Sequence, residues 1–153
     1  MYGTGAYQML HGIGNNKRNA ALQASYLWER VRNGGLRGWL RRRHYLCSLG
    51  EIARQRHDSH FAGAQTVALD HITGSENKSD AFDAHFRPLN DASAGRWQGI
   101  AAAWMRGDSL PPVELIRVGD RYYVRDGHHR ISVARALGQR DIDAVVTVWD
   151  VAR

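Results

Sequence analysis

Asp126-Gly127-His128-His129-Arg130 sets a carboxylate, a glycine, two imidazoles and a guanidinium on five consecutive residues. The run before it, Arg121 to Arg125, reads as a strand, and the run after it reads as a short helix closed by Gly138. A strand-to-helix corner of this composition suits an anion. The first turn of a helix presents backbone N–H groups that lack an intrahelical acceptor, the helix dipole adds positive potential, and Arg130 adds a planar fork of donors. The expected chemistry is phosphate binding by Gly127, His128, His129 and Arg130. Two roles stay open for Asp126: a cap for the helix, or a catalytic carboxylate that orients His128 or holds Mg²⁺ through water.

The flanking elements must hold this turn in place. Val113 to Val118 is rich in valine and isoleucine, Gly119-Asp120 has the form of a two-residue hairpin turn, and Arg121 to Arg125 returns as the partner strand. Ile131, Ala134 and Leu137 share one helical face, and Ile142 to Val148 reads as a further strand. Upstream, Thr66 to Ile72 reads as the first strand of this region. From Ala92 to Arg106, Trp97, Ile100, Ala101 and Trp104 have the spacing of a buried helical stripe, with Gly107 as terminator. That spacing assigns the tryptophans to the core rather than to base stacking. Pro111-Pro112 fixes the lead into the hairpin.

From about Thr66 to Asp150 the chain resembles the ParB/sulfiredoxin superfamily, whose members set a glycine-histidine-arginine or glycine-glutamate-arginine turn against nucleotide phosphates. The turn is most similar to the Asp-Gly-His-His-Arg branch, which includes free-serine kinases. It also resembles ParB-like proteins, among them ParB-like nuclease domains, with an upstream Gly-Ser-Glu segment. Here that segment is Thr73-Gly74-Ser75-Glu76, followed by Asp80-Ala-Phe-Asp83 and Phe86-Arg-Pro88. The resemblance implies an α+β fold with a small mixed sheet and packed helices. It also implies a nucleotide di- or triphosphate as ligand and Glu76 as the catalytic base that activates an acceptor hydroxyl, against the plainer reading that Glu76 caps a loop or makes a surface ion pair. A carboxylate near phosphates can take a proton or help bind Mg²⁺. Sulfiredoxins carry a reactive cysteine where this chain has His128, so reduction of a sulfinic acid through that thiol is not expected. Partition ParB proteins follow this domain with a helix-turn-helix DNA reader, whereas this chain ends at Arg153; centromere recognition is not expected either.

Charge divides the chain unevenly. Residues 1–65 hold ten Lys or Arg against three Asp or Glu, a surplus of +7, while residues 66–153 hold eleven against twelve. The expected organisation is therefore a basic helical extension over residues 1–65, joined through a linker near His57 to Gln65, and a ParB/sulfiredoxin-like domain over residues 66–153. In the extension, Ala20, Ala24, Leu27 and Val31 have helical spacing up to Gly34-Gly35. A second helix is expected around Tyr45, Leu49, Ile52 and Ala53, after the Arg41-Arg42-Arg43 cluster. These three arginines are the candidates for contact with DNA or RNA backbone, against the plainer reading of a solvated face.

Several function classes are excluded or disfavoured. Cys47 stands alone and can form no internal disulfide, Met1 to Asn16 does not read as a signal peptide, and no window has the roughly 18 to 20 apolar residues that span a bilayer. A cytoplasmic location and no membrane partner are expected. No metal site is expected, because His57 and His60 lack further ligands at recognisable spacing. There is no Walker lysine motif and no complete dinucleotide glycine loop. The leading expectation is a nucleotide-binding NTPase or phosphotransferase using the Asp126–Arg130 turn. Two others stay open: a nucleic-acid-binding ParB-like protein with nuclease character, and a catalytically silent nucleotide-binding module. Neither the base, the acceptor nor the oligomeric state is legible in the sequence.

Overall fold

In the computed structural model, which describes residues 5–33, 46–77 and 80–152, the two-residue period of the strands decides how the sheet is buried. Leu115, Val124 and Val148 belong to one packed cluster, while their neighbours Ile116, Tyr123 and Trp149 belong to a second cluster on the opposite face. Among the described residues the sheet has six strands: β1 (Cys47–Ser48), β2 (Arg56–Ala68), β3 (Ile72–Ser75), β4 (Val113–Val118), β5 (Arg121–Asp126) and β6 (Asp141–Val151). Their order is β1-β3-β5-β4-β6-β2. Pairs β1–β3, β3–β5 and β4–β6 are parallel, and β4–β5 and β2–β6 are antiparallel. With helices α1 (Gly5–Asn33), α2 (Gly50–Ala53), α3 (Ala94–Met105) and α4 (His128–Ala136), this is the α+β class expected, a mixed sheet with packed helices.

Helix α4 is held between two layers. Ile131 and Ala134 pack on the sheet cluster, whereas Val133 faces α1 and α3 together with Ala20, Ala24, Leu27, Trp28, Trp97 and Ala101. Burying Ile131 and Val133 contributes about 1.5–3 kcal/mol each. Trp97 is fully buried, meets Trp28 at a centroid distance of 5.4 Å, and donates its Nε1–H to Ser132 Oγ at 2.9 Å. It is core, as its spacing predicts.

The glycine terminators hold as well. Gly138 takes φ 72, and the N–H groups of Gly138 and Gln139 reach back to the carbonyls of Arg135 and Ala134, which closes α4 with a Schellman cap. Gly107 at φ 78 closes α3 in the same way through Ala103 and Trp104.

Three expectations change. The segment expected as a linker, His57 to Gln65, lies within β2, which pairs along its length with β6. Its side chains, Phe61 among them, are mostly exposed because β2 is an edge strand with β6 as its one neighbour, so no apolar alternation marks it. The expected strand Thr66 to Ile72 ends at Ala68 and continues as a 3₁₀ turn, Leu69–His71, before β3. Leu69 and Ile72 are both buried, and residues three apart share a face in a 3₁₀ turn rather than in a strand. The helix expected around Leu49 and Ile52 is four residues long and follows a strand. Arg41, Arg42 and Arg43 lie outside the described residues. Among those described, no helix is long and apolar enough to cross a membrane.

Candidate functional site

Parallel pairing of β3 with β5 sets the carboxyl ends of these strands side by side, with Ser75 opposite Val124. Glu76 N–H then donates to Val124 O at 2.9 Å, which carries Glu76 alongside the last residues of β5. Gly74 makes this approach feasible. A Cβ there would collide with Cys47 O on β1 and come within 2.7 Å of the Tyr123 ring. The Gly-Ser-Glu spacing is thus a packing requirement before it is a chemical one.

β5 turns into α4 through Gly127, which has φ 103 and no side-chain cap. A Cβ at this position would lie 2.5 Å from Val113 Cγ1, so both the dihedral and the space demand glycine. Asp126 does not cap the helix. Its Oδ2 accepts from Arg130 Nη2 at 2.9 Å, and Arg130 Nη1 donates to the carbonyls of Pro111 and Pro112 at 2.5 and 2.8 Å. Arg130 therefore staples the turn to the segment that leads into β4. Its side chain is 14% exposed while that of Asp126 is 63% exposed. A guanidinium has five N–H donors, and among the described residues the Arg130 Nε–H and the second Nη2–H have no protein acceptor. The helix dipole adds positive potential at the same corner.

The two histidines differ. His128 is buried, and its Nε2 lies 2.6 Å from Ser75 Oγ, itself fully buried. Its ring stacks on Phe82 with centroids 5.9 Å apart and planes 18° apart. The His128 ring, expected to meet phosphate, lies in the protein interior against Ser75 and Phe82. His129 is half-buried and meets the same Phe82 edge-on at 5.3 Å.

Phe82 arrives on a loop built around Asp83. The Asp83 Oδ1 accepts the backbone N–H groups of His85 and Arg87, both at 2.9 Å, and its Oδ2 accepts Arg87 Nε at 2.8 Å. The same loop buries Phe86. Glu76, the candidate base, accepts from Arg125 Nε at 3.1 Å with side chains 30% and 37% exposed respectively. The structure thus brings Glu76, Asp126, Gly127, His128, His129 and Arg130 to one end of the sheet and adds Ser75 and Phe82. Ser75 stands inside the Gly-Ser-Glu segment and Phe82 inside Asp80-Ala-Phe-Asp83, but only strand pairing and loop closure show their contacts with the histidines.

No family model matches the chain, and neither does any curated protein sequence. Among solved structures, sulfiredoxin from Arabidopsis thaliana is similar at 17% identity over 54% of this chain and 82% of that one, with a TM-score of 0.42.

Proposed function

We propose that the turn from Asp126 to Arg130 binds the phosphates of a nucleoside di- or triphosphate, and that Glu76 serves as the base of an NTPase or phosphotransferase reaction at that site. The observation that carries this reading is Gly127: a left-handed residue opens α4, and the space a side chain would occupy belongs to Val113. A backbone bent in this way lets an anion approach the positive end of a helix closely. The two remaining Arg130 donors supply charge-assisted hydrogen bonds, with exposed Asp126 giving way as a phosphate oxygen takes its place. Mg²⁺, when bound with the nucleotide, would neutralise phosphate charge. Asp126 and Glu76 are two carboxylates at this end of the sheet that could serve as its oxygen donors.

Glu76 has its Oε2 on Arg125, which fixes the carboxylate while leaving Oε1 to take a proton from a hydroxyl or from water. Arg125 also balances its charge near phosphate oxygens. The roles divide accordingly: Gly127 and the start of α4 receive the anion, Arg130 bonds it, and Glu76 removes the proton.

Thermal unfolding of the full chain with ATP, ADP, CTP and GTP, each with and without Mg²⁺, tests the binding. A ligand that binds only the folded state adds about 2.7 kcal/mol of stability at a hundredfold excess over Kd. One nucleotide should raise the midpoint; unchanged midpoints with all four would reject the reading. Binding without phosphate release or transfer would reduce it to a silent nucleotide-binding module.

A further inference from the structure

A second site of different composition lies further along α4. Val31 of α1, His85 and Arg87 of the Phe82 loop, and Ser132, Arg135 and Ala136 of α4 line a solvent-open cavity of about 270 Å³. Its polar lining is made of side chains that can donate hydrogen bonds, and no carboxylate belongs to it.

The donors can be followed one by one. Arg87 spends its Nε–H on Asp83, so its two terminal nitrogens have no protein acceptor among the described residues. Arg135 gives Nη2 to the carbonyls of Leu69 and Ile72 at 2.6 and 3.3 Å, and lies over the Phe86 ring at 5.4 Å. Among the described residues its Nη1 has no protein acceptor, and its Nε is buried without one. Ser132 Oγ already accepts from Trp97 Nε1, which leaves its own O–H to donate. His85 stands exposed at the rim. Asp83 faces Arg87 from behind, at its Nε. Burial pushes the Arg135 guanidinium below its ordinary range, more than Asp70 and Asp83 raise it. A cation short of compensation, lining the cavity beside the unspent terminal nitrogens of Arg87, favours an incoming anion.

The walls are fastened before any ligand arrives. Arg32, next to Val31, bonds Asp91 at 2.6 Å and Pro88 O at 3.0 Å, tying the end of α1 to the loop that carries His85 and Arg87. Asp83 holds that loop from within. Val31 and Ala136 supply apolar surface beside the cations.

We propose that this cavity binds a small organic oxyanion, its carboxylate or phosphate group held between Arg87 and Arg135 and its body of a few carbons set against Val31 and Ala136. Planar guanidinium forks match the oxygen pairs of either group. A cavity of about 270 Å³ that opens to solvent has room for a small organic anion. The site is independent of the turn at Gly127 and uses the opposite end of the helix.

The test is an NMR titration of the isotope-labelled full chain with butyrate, monobutyl phosphate and inorganic phosphate, with chloride at matched ionic strength as control. Saturable shifts should group at His85, Arg87 and residues 132–136, and the better of the two butyl compounds identifies the oxyanion. Ala136→Leu fills the cavity without touching a donor, and Arg135→Lys keeps the charge but loses the fork; each should weaken binding roughly tenfold or more. Because Arg135 also holds two backbone carbonyls, Ala136→Leu is the deciding variant. Absence of saturation at these positions, shifts confined to residues 127–130, or undiminished affinity in folded Ala136→Leu would each overturn the proposal.

Discussion

Ser75 Oγ and His128 Nε2 lie 2.6 Å apart in the interior, joining the last residue of β3 to the first residue of α4. Ser75 Oγ also accepts the Asn77 N–H at 3.2 Å. One hydroxyl thus ties the chain on both sides of Glu76 to the turn at Gly127, and it orients an imidazole that is already stacked on Phe82.

Ser75→Ala should therefore destabilise the fold by about 1–3 kcal/mol, since it removes a partner from a buried ring nitrogen and from a backbone N–H. At this chain length each kcal/mol lowers the melting midpoint by roughly 2–4 °C. Calorimetry of parent and variant checks it; coincident midpoints would show that the pair contributes nothing to stability.

Gly127→Ala tests the requirement for glycine. The left-handed region costs an L-residue about 1–2 kcal/mol, and crowding against Val113 in a packed core adds about 1–3 kcal/mol. Urea denaturation should show a loss of roughly 2–5 kcal/mol from these two sources together. Gly119→Ala supplies the comparison: Gly119 also has positive φ, at 62, but nothing lies within 4 Å of a Cβ there, so it should show the dihedral cost alone. Equal losses in the two variants would remove Val113 from the account.

Arg130→Ala removes both the staple to Pro111 and Pro112 and the donors offered to phosphate. Nucleotide affinity should fall roughly 10- to 100-fold, because a charge-assisted hydrogen bond contributes about 1.5–3 kcal/mol. Stability should fall too, as the bonds to two carbonyls and Asp126 are lost. Isothermal titration at a temperature where the variant is folded separates the two effects, and unchanged affinity would confine Arg130 to its structural role.

How much of this was legible from residue types follows from the range of each interaction. The hairpin at Gly119, the caps at Gly107 and Gly138 and the stripe through Trp97 depend on neighbours within a few positions, so local spacing reveals them. β2 was hidden because an edge strand with exposed side chains has no apolar period, and its pairing with β6 spans most of the domain. In the site, the turn itself could be read, but not the direction of its rings. His128 faces inward because Ser75 and Phe82, 53 and 46 positions earlier in the numbering, close around it. Nor did the pattern show that Arg130 folds back onto Pro111 and Pro112, since main-chain acceptors leave no mark on composition.

Glu76→Gln separates binding from catalysis. The amide keeps the size of the side chain and its carbonyl oxygen can still accept from Arg125 Nε, so the end of β3 should hold its shape and nucleotide affinity should change little. What is lost is the capacity to take a proton. If Glu76 is the base, phosphate release or transfer at saturating nucleotide should fall by about 10²- to 10⁴-fold, the usual contribution of general-base catalysis. Arg125→Ala provides the second arm: it removes the partner that fixes the carboxylate but leaves the base itself, so turnover should fall less steeply than in Glu76→Gln. Measuring both rates with the nucleotide selected by thermal shift decides the matter. Equal turnover in the parent and Glu76→Gln would exclude Glu76 as the base, and loss of nucleotide binding in Glu76→Gln would reassign it to holding the ligand or its metal ion.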